Sequence, residues 1–302
     1  MRRFESYRGH AADLWATADP SLRQTSAVRV LFCGVRGSTS APGPEFVRYG
    51  GHTSCVALAH DGAAPTLVLD AGTGLRNLSR HLPGPFRGTI LLGHLHWDHT
   101  HGLPFFAAGN RADSEVTVVM PAQGDPVEIL ERAFSPPHFP VTPSQLTGVW
   151  RVTSLEAGDH DIEGFHVLAA DIPHPGGRTF GYRVTDGAAS IAYLSDHSPI
   201  AAGDGPHGLG AYHPSALALA AGVDVLIHDA QHTAAEFPDV SYLGHSAGEY
   251  AVGLAEAAGA RTLVLFHHDP SRTDDQVDAL LAAHQDSRVD VVAAAEEMVL
   301  DL

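Results

Sequence analysis

Residues 94–102 read His94-Leu95-His96-Trp97-Asp98-His99-Thr100-His101-Gly102, between the apolar run TILLG (89–93) and the apolar segment LPFF (103–106). In an extended backbone alternate side chains share a face, so His94, His96 and Asp98 point one way. A turn after them brings His99 round to the same cavity. Four such groups within a few ångströms are too many for one metal ion that also keeps a water. Imidazole and carboxylate suit zinc and its first-row neighbours. A polar loop with chance histidines is not expected at this spacing, hemmed in by apolar segments on both sides.

A site of this kind draws ligands from elsewhere in the chain. His174 follows the run FHVLAADIP, Asp196 follows IAYLS and His267 follows LVLF. Strand ends are where loops converge and open sites are built. One such residue alone is structural more often than functional; three in order favour a shared site. Position at a strand end does not separate His267 from its neighbour His268. The runs LIHDAQHT (226–233) and LGHSAGEYAVGLA (243–255) place Asp229 at a strand end and His245 just before a helix.

Working outward, strands are expected at 27–35, 54–60, 66–69, 89–92, 116–120, 165–169, 179–184, 190–194, 223–227, 263–266, 289–292 and 298–300, with Asp61-Gly62 as a turn. Helices are expected at 75–81, from 103 to 108, and at 126–134, 214–221, 247–258 and 274–284. No linker interrupts them, since the loop at 203–210 is too short to separate domains. The expectation is an α/β (α+β) fold: one domain over 27–302, with mixed sheets sandwiched between helices, after a partly ordered leader at 1–26.

The 302 residues are 44% hydrophobic and 18% charged, the profile of a soluble globular protein. No stretch approaches the roughly 20 apolar residues of a membrane span. The first residues, MRRFESYRGHAADLWATADP, lack the apolar core of a secretion signal, so a cytoplasmic location is expected. Cys33 and Cys55 lie in apolar runs; reduced core thiols are preferred to a single disulfide, and no CxxC is present. The formal net charge of -17 opposes a long polyanionic partner, so extended nucleic acid is disfavoured.

On the block 94–99 the chain resembles the metallo-β-lactamase superfamily. The segments CGVRGSTSAPGP (33–44), YGGHTSC (49–55), LDAGTGL (69–75) and LFHHDPSRTDD (265–275) resemble the branch that holds ribonuclease Z and small cyclic-phosphodiester hydrolases. The resemblance covers nearly the whole chain. It implies a four-layer αββα sandwich with two metals at the sheet edges. His94, His96 and His174 would hold the first, and Asp98, His99 and His267 the second, with Asp196 bridging. Register against ribonuclease Z favours His267 over His268, and an Asp equivalent to Asp70 stands behind the block. The resemblance also implies a pair in which Asp229 orients His245 towards the scissile phosphate. This chain has Asp where that family has Glu. The bland alternative makes Asp229 a supporting residue and Ser246 a helix cap. His232 is the rival for facing substrate, and His138, in PPHFP, sits on a rim loop. His101 and His197 flank ligands and would stand behind them.

These features together predict a dinuclear metal-dependent hydrolase. Its substrate would be a small cyclic phosphodiester, attacked by a hydroxide bridging two ions about 3.5 Å apart. Asp98, Asp229 and His245 are the candidate catalytic residues. The ions would be Zn2+, with Mn2+ or Fe admitted by the same ligands. Arg36, Arg48 and Arg178 could clamp phosphate, although surface ion pairing is the preferred role. A tRNA-binding arm is not evident. A homodimer is compatible with the sequence, while a membrane partner is not expected. The rivals are lactone or thioester hydrolysis at the same site, and a metal-bound sensor without catalysis.

Overall fold

The computed structural model describes residues 28–199 and 204–302, so the expected leader lies outside the described residues. In chain order the elements are β1 (Val28–Gly34), β2 (Cys55–His60), β3 (Leu67–Leu69), α1 (Leu75–Leu78), β4 (Arg87–Leu91), α2 (Trp97–Thr100), β5 (Glu115–Pro121), α3 (Pro126–Ala133) and β6 (Val149–Leu155). There follow β7 (Gly158–Ile162), β8 (Phe165–Asp171), β9 (Phe180–Thr185), β10 (Ser190–Leu194), α4 (Pro214–Ala220), β11 (Val225–Asp229) and α5 (Phe237–Val240). The last are α6 (Gly248–Ala258), β12 (Thr262–Phe266), α7 (Asp274–Ala282), β13 (Asp290–Ala293) and β14 (Val299–Asp301).

Among the described residues two seven-stranded sheets result, ordered β14-β1-β2-β3-β4-β5-β6 and β13-β12-β11-β10-β9-β8-β7. The strands from β3 to β6 run parallel, as do those from β10 to β13; the rest pair antiparallel. Alternation of side chains decides the layers. Val30, Phe32, Val56 and Leu58 face the second sheet, where Val184, Ile191, Ile227, Val264 and Phe266 meet them in one core. Their neighbours Leu31, Cys33, Cys55 and Ala57 point outward onto Leu75, Leu78 and Leu130 of the helices. Leu226, Leu263 and Leu265 likewise meet Leu254 and Leu280 on the far side. Strands covered on both faces need apolar residues throughout, which is why Val30–Cys33 of β1, Cys55–Ala59 of β2 and Val225–Ile227 of β11 read as unbroken runs. The expected αββα layering is what the structure has.

Three local expectations change. The helix expected from 103 to 108 is a single 3-10 turn, Leu103–Phe105. Phe106 leaves helical geometry, buries, and packs edge-on against Phe86 at 5.2 Å. The helix at 75–81 is α1 followed by a 3-10 turn, Ser79–His81. Strands β6 and β7 are additional to those expected. Each is one of the two edge strands of its sheet, opposite β14 and β13, and both alternate half-buried with exposed residues. An edge strand with one wet face carries no continuous apolar run. Both cysteines are buried free thiols, in line with the preferred reading. No helix among the described residues is long and apolar enough to cross a membrane.

Candidate metal centre

The loops that follow β3, β4, β8, β10, β11 and β12 carry Asp70, the block 94–99, His174, Asp196, Gln231 and His267. Clefts at the carboxyl ends of parallel strands are where α/β sheets place ligands. The block itself corrects one expectation. His96 is still extended, with φ -62 and ψ 157, but α2 begins at Trp97. Asp98 and His99 therefore sit on a helical turn, not on an extended strand. About 100° of rotation per residue turns this pair to a different side from His94 and His96.

Two groups result. The ligand atoms of His94, His96, His174 and Asp196 all lie within 4.8 Å of one another, as do those of Asp98, His99, Asp196 and His267. Asp196 belongs to both. Its Oδ2 lies 3.6 Å from His94 Nε2 and 3.6 Å from His174 Nε2. Its Oδ1 lies 3.0 Å from His99 Nε2 and 3.1 Å from His267 Nε2. His96 turns Nδ1 inward, 3.2 Å from His174 Nε2.

Neighbouring acceptors fix the rings. His99 Nδ1 donates to Asp70 Oδ2 at 2.7 Å, His174 Nδ1 to the Gly244 carbonyl at 2.7 Å, and His267 Nδ1 to Gln231 Oε1 at 3.1 Å. In a neutral ring each bond favours the proton on Nδ1, with Nε2 left to serve as a ligand. Asp70 and His267 both have left-handed backbones, φ 62 and φ 59. That conformation is costly for non-glycine residues, and it persists where surrounding structure over-determines it. Here it re-aims two strand ends at one centre.

Electrostatics and hydrogen bonding both fit a cation. Burial alone would raise the Asp98 and Asp196 carboxyls, yet the surrounding histidines hold both well below the ordinary range. Burial pushes His94 well down, with His99 adding to the effect. His94 Nε2, His99 Nε2 and both oxygens of Asp196 are buried without a hydrogen bond. Each stranded polar atom costs about 1–3 kcal/mol. A divalent ion on each side of Asp196 would satisfy all four.

Beside this centre, His245 Nδ1 donates to Asp229 Oδ2 at 2.7 Å. The backbone N–H groups of Gln231 and Ser246 donate to Asp229 Oδ1 at 3.0 and 3.3 Å. The shorter carboxylate reaches His245 all the same. His245 Nδ1 is 3.8 Å from Asp196 Oδ2, and its ring stacks on His267 with centroids 4.9 Å apart. Burial opposes charge on His245, but Asp229 and its hydrogen bond prevail and raise it to about 9. Ser246 is not a helix cap: the α6 N-cap is Ala247, without a side-chain bond, and Ser246 Oγ donates to the His197 carbonyl.

The remaining expectations sort by burial. His268 is fully buried and donates Nε2–H to the Ala294 carbonyl at 2.9 Å; burial lowers it to about 3. It faces away from the cluster that His267 joins. His232 is buried with its ring centroid 6.1 Å from His245. His197 is buried against His228, while His101 is exposed and stacks on Trp97. His138 is exposed on the loop at 135–142. Arg36 is neither a phosphate clamp nor a surface partner: it is fully buried, bonded to the carbonyls of Gly50, Asp269 and Arg272. Arg48 pairs with Asp275 and Asp278, and Arg178 with Asp171 and Glu156, as surface ion pairs. Gln231 and Ser38 join the centre without having been expected there. Gln231 stands two residues after Asp229 in LIHDAQHT, a position that could have drawn notice. Ser38 meets Asp98 through its backbone N–H, for which a sequence carries no signal, and Gln231 through its hydroxyl.

Residues 66–268 match the beta-lactamase superfamily domain. A ribonuclease Z from Exiguobacterium sibiricum is 28% identical, over 74% of this chain and 85% of that protein. Among solved structures, the metallo-beta-lactamase fold protein YhfI from Bacillus subtilis superposes with a TM-score of 0.66 at 19% identity, covering 90% of this chain and 99% of that one. The short form of human tRNase Z superposes at 0.62 with 21% identity, covering 90% and 98%.

Proposed function

The chain belongs to the beta-lactamase superfamily, and from that premise we propose that it is a dinuclear metal-dependent phosphodiesterase acting on a small, cyclic phosphodiester. The observation that carries the phosphodiester is the Asp229–His245 pair, set 3.8 Å from the shared carboxylate of Asp196. A site that only polarises a carbonyl has no need of a carboxylate-backed imidazole there. Similarity to a ribonuclease Z supports cleavage of a P–O bond.

In this proposal His94, His96, His174 and Asp196 hold one ion, and Asp98, His99, His267 and Asp196 the other. Zinc suits the imidazole-rich donors, and manganese or iron is compatible with them. Bound divalent ions supply Lewis acidity, which activates water near neutral pH and offsets phosphoryl charge. The protein does the rest. His245 has Nδ1 committed to Asp229, which leaves Nε2 as the atom that meets substrate. Asp229 favours the charged ring, which can bind a phosphoryl oxygen or protonate the leaving oxygen. Asp229 orients the ring and balances its charge. The acidic surface favours a small substrate over extended nucleic acid.

The test is turnover of metal-quantified protein on 3′,5′- and 2′,3′-cyclic nucleotides and on a homoserine lactone. Diester hydrolysis is expected, falling about 10²–10⁴-fold in His245→Ala with metal content kept. Lactone hydrolysis alone, indifferent to His245→Ala, would overturn the proposal.

A further inference from the structure

Gln231 and Ser38 close a ring of polar contacts through the second cluster. Gln231 Oε1 accepts from His267 Nδ1 at 3.1 Å, and His267 Nε2 lies 3.1 Å from Asp98 Oδ2. The Ser38 N–H donates to that same oxygen at 2.6 Å, and Gln231 Nε2 donates to Ser38 Oγ at 3.3 Å. With His267 Nε2 bare for an ion the ring proton sits on Nδ1, so the Gln231 oxygen accepts it and the amide nitrogen faces the Ser38 hydroxyl.

The ring is held from outside. Gln231 is buried, and its own backbone N–H is committed to Asp229 Oδ1. Gly37 leans so closely on the pair that a Cβ there would stand 2.3 Å from His267 Nδ1 and 2.8 Å from Gln231 Oε1. Ser38 has a left-handed backbone, φ 60. Arg36, one residue before Gly37, ties this turn to the chain beyond His267 through the Asp269 and Arg272 carbonyls. The turn at 36–38 is thus fastened at one end to the segment that carries His267 and at the other to Asp98.

We infer that Gln231, with Ser38, is a positioning pair that sets the affinity of the second ion independently of the first. This rests on the two-ion proposal above. His99 Nδ1 leans on a carboxylate and His174 Nδ1 on a backbone carbonyl. His267 depends on a side-chain amide, which accepts a hydrogen bond without adding charge. The amide keeps Nε2 bare and the ring aimed while Ser38 holds Asp98. The side-chain contacts of Gln231 run to His267 and Ser38, on the side of the second cluster. Loss of such a supporting contact costs about 10–100-fold in metal affinity.

Zn2+ titration of the apoprotein, followed by calorimetry and by metal content after gel filtration, tests this. Wild type should take two ions. Gln231→Leu should bind the second about 10–100-fold more weakly and leave the first unchanged. Gln231→Glu should restore the second step, since a carboxylate oxygen accepts the same proton. Ser38→Ala keeps the N–H that meets Asp98 and removes only the hydroxyl that meets Gln231, so it should weaken the second step alone by a smaller factor. Two wild-type steps in both Gln231→Leu and Ser38→Ala, or equal weakening of both ions, would overturn the inference. Wild type saturating at one ion would overturn the two-ion proposal and this inference with it.

Discussion

Asp70 Oδ2 lies 2.7 Å from His99 Nδ1, and neither residue is exposed to solvent. Two other donors converge on the same carboxylate: the Gly93 N–H at 2.7 Å and the Tyr193 hydroxyl at 2.7 Å. Two carboxylate oxygens satisfy all three. An amide has one acceptor oxygen and two N–H donors, so Asp70→Asn must leave at least one donor facing another. That substitution should cost about 1–3 kcal/mol of stability. It should also weaken metal retention about 10–100-fold, because His99 loses the charge that sets its tautomer. Urea unfolding and metal content after dialysis read the two effects separately. Retention of both at wild-type level would mean that Asp70 does not govern His99.

Asp196 gives one oxygen to each histidine group, so its removal should not act on one ion alone. Asp196→Ala is expected to abolish dinuclear loading and turnover together. Its carboxylate faces His94, His174 and His267 at once. The metal-free variant should therefore lose the attraction that gathers these rings. Two ions per chain and full activity in this variant would remove Asp196 from the centre.

His267 and His268 are neighbours with opposite surroundings, and their substitutions should separate cleanly. His267→Ala is expected to lose the second ion with a modest effect on folding. His268→Ala strands the Ala294 carbonyl and should cost about 1–3 kcal/mol of stability, with both ions kept. Metal stoichiometry against thermal unfolding distinguishes them. Loss of an ion in His268→Ala at unchanged stability would reverse the assignment.

Most of the centre is legible in the sequence because its residues are unusual where they stand: an imidazole or carboxylate ending an apolar run. His94, His174, Asp196 and His267 all stand out in this way. Periodicity fails where the backbone stops being periodic. Asp98 does not read as helical, since a four-residue helix such as α2 is too short to show a 3.6-residue pattern. Position does not distinguish His267 from His268, because the left-handed turn at His267 is a product of packing. Arg36 looks like a loop cation, and its burial is explained by three carbonyl partners and the buried Asp274 carboxylate 3.6 Å away. Strands β6 and β7 escape notice because edge strands need only half the apolar residues of central ones.

Glu296 supplies a pH dependence that does not involve the metal ligands. It is half-buried, accepts the His52 N–H at 2.5 Å and meets Asn77 Nδ2 at 3.3 Å. Burial raises its carboxyl above the ordinary value, against the pull of its backbone hydrogen bonds and of Arg36. The folded protein therefore holds this proton more tightly than the unfolded chain does. The resulting stability is fully present below the unfolded value, roughly 4.3, and is lost as pH rises through the higher folded value. Glu296→Gln keeps an acceptor for His52 and removes the titration. It should flatten the decline in stability with pH above the unfolded value. Denaturant midpoints measured from acid to neutral pH in both proteins would show this. Parallel curves would mean that Glu296 holds its proton equally well in the folded and the unfolded chain.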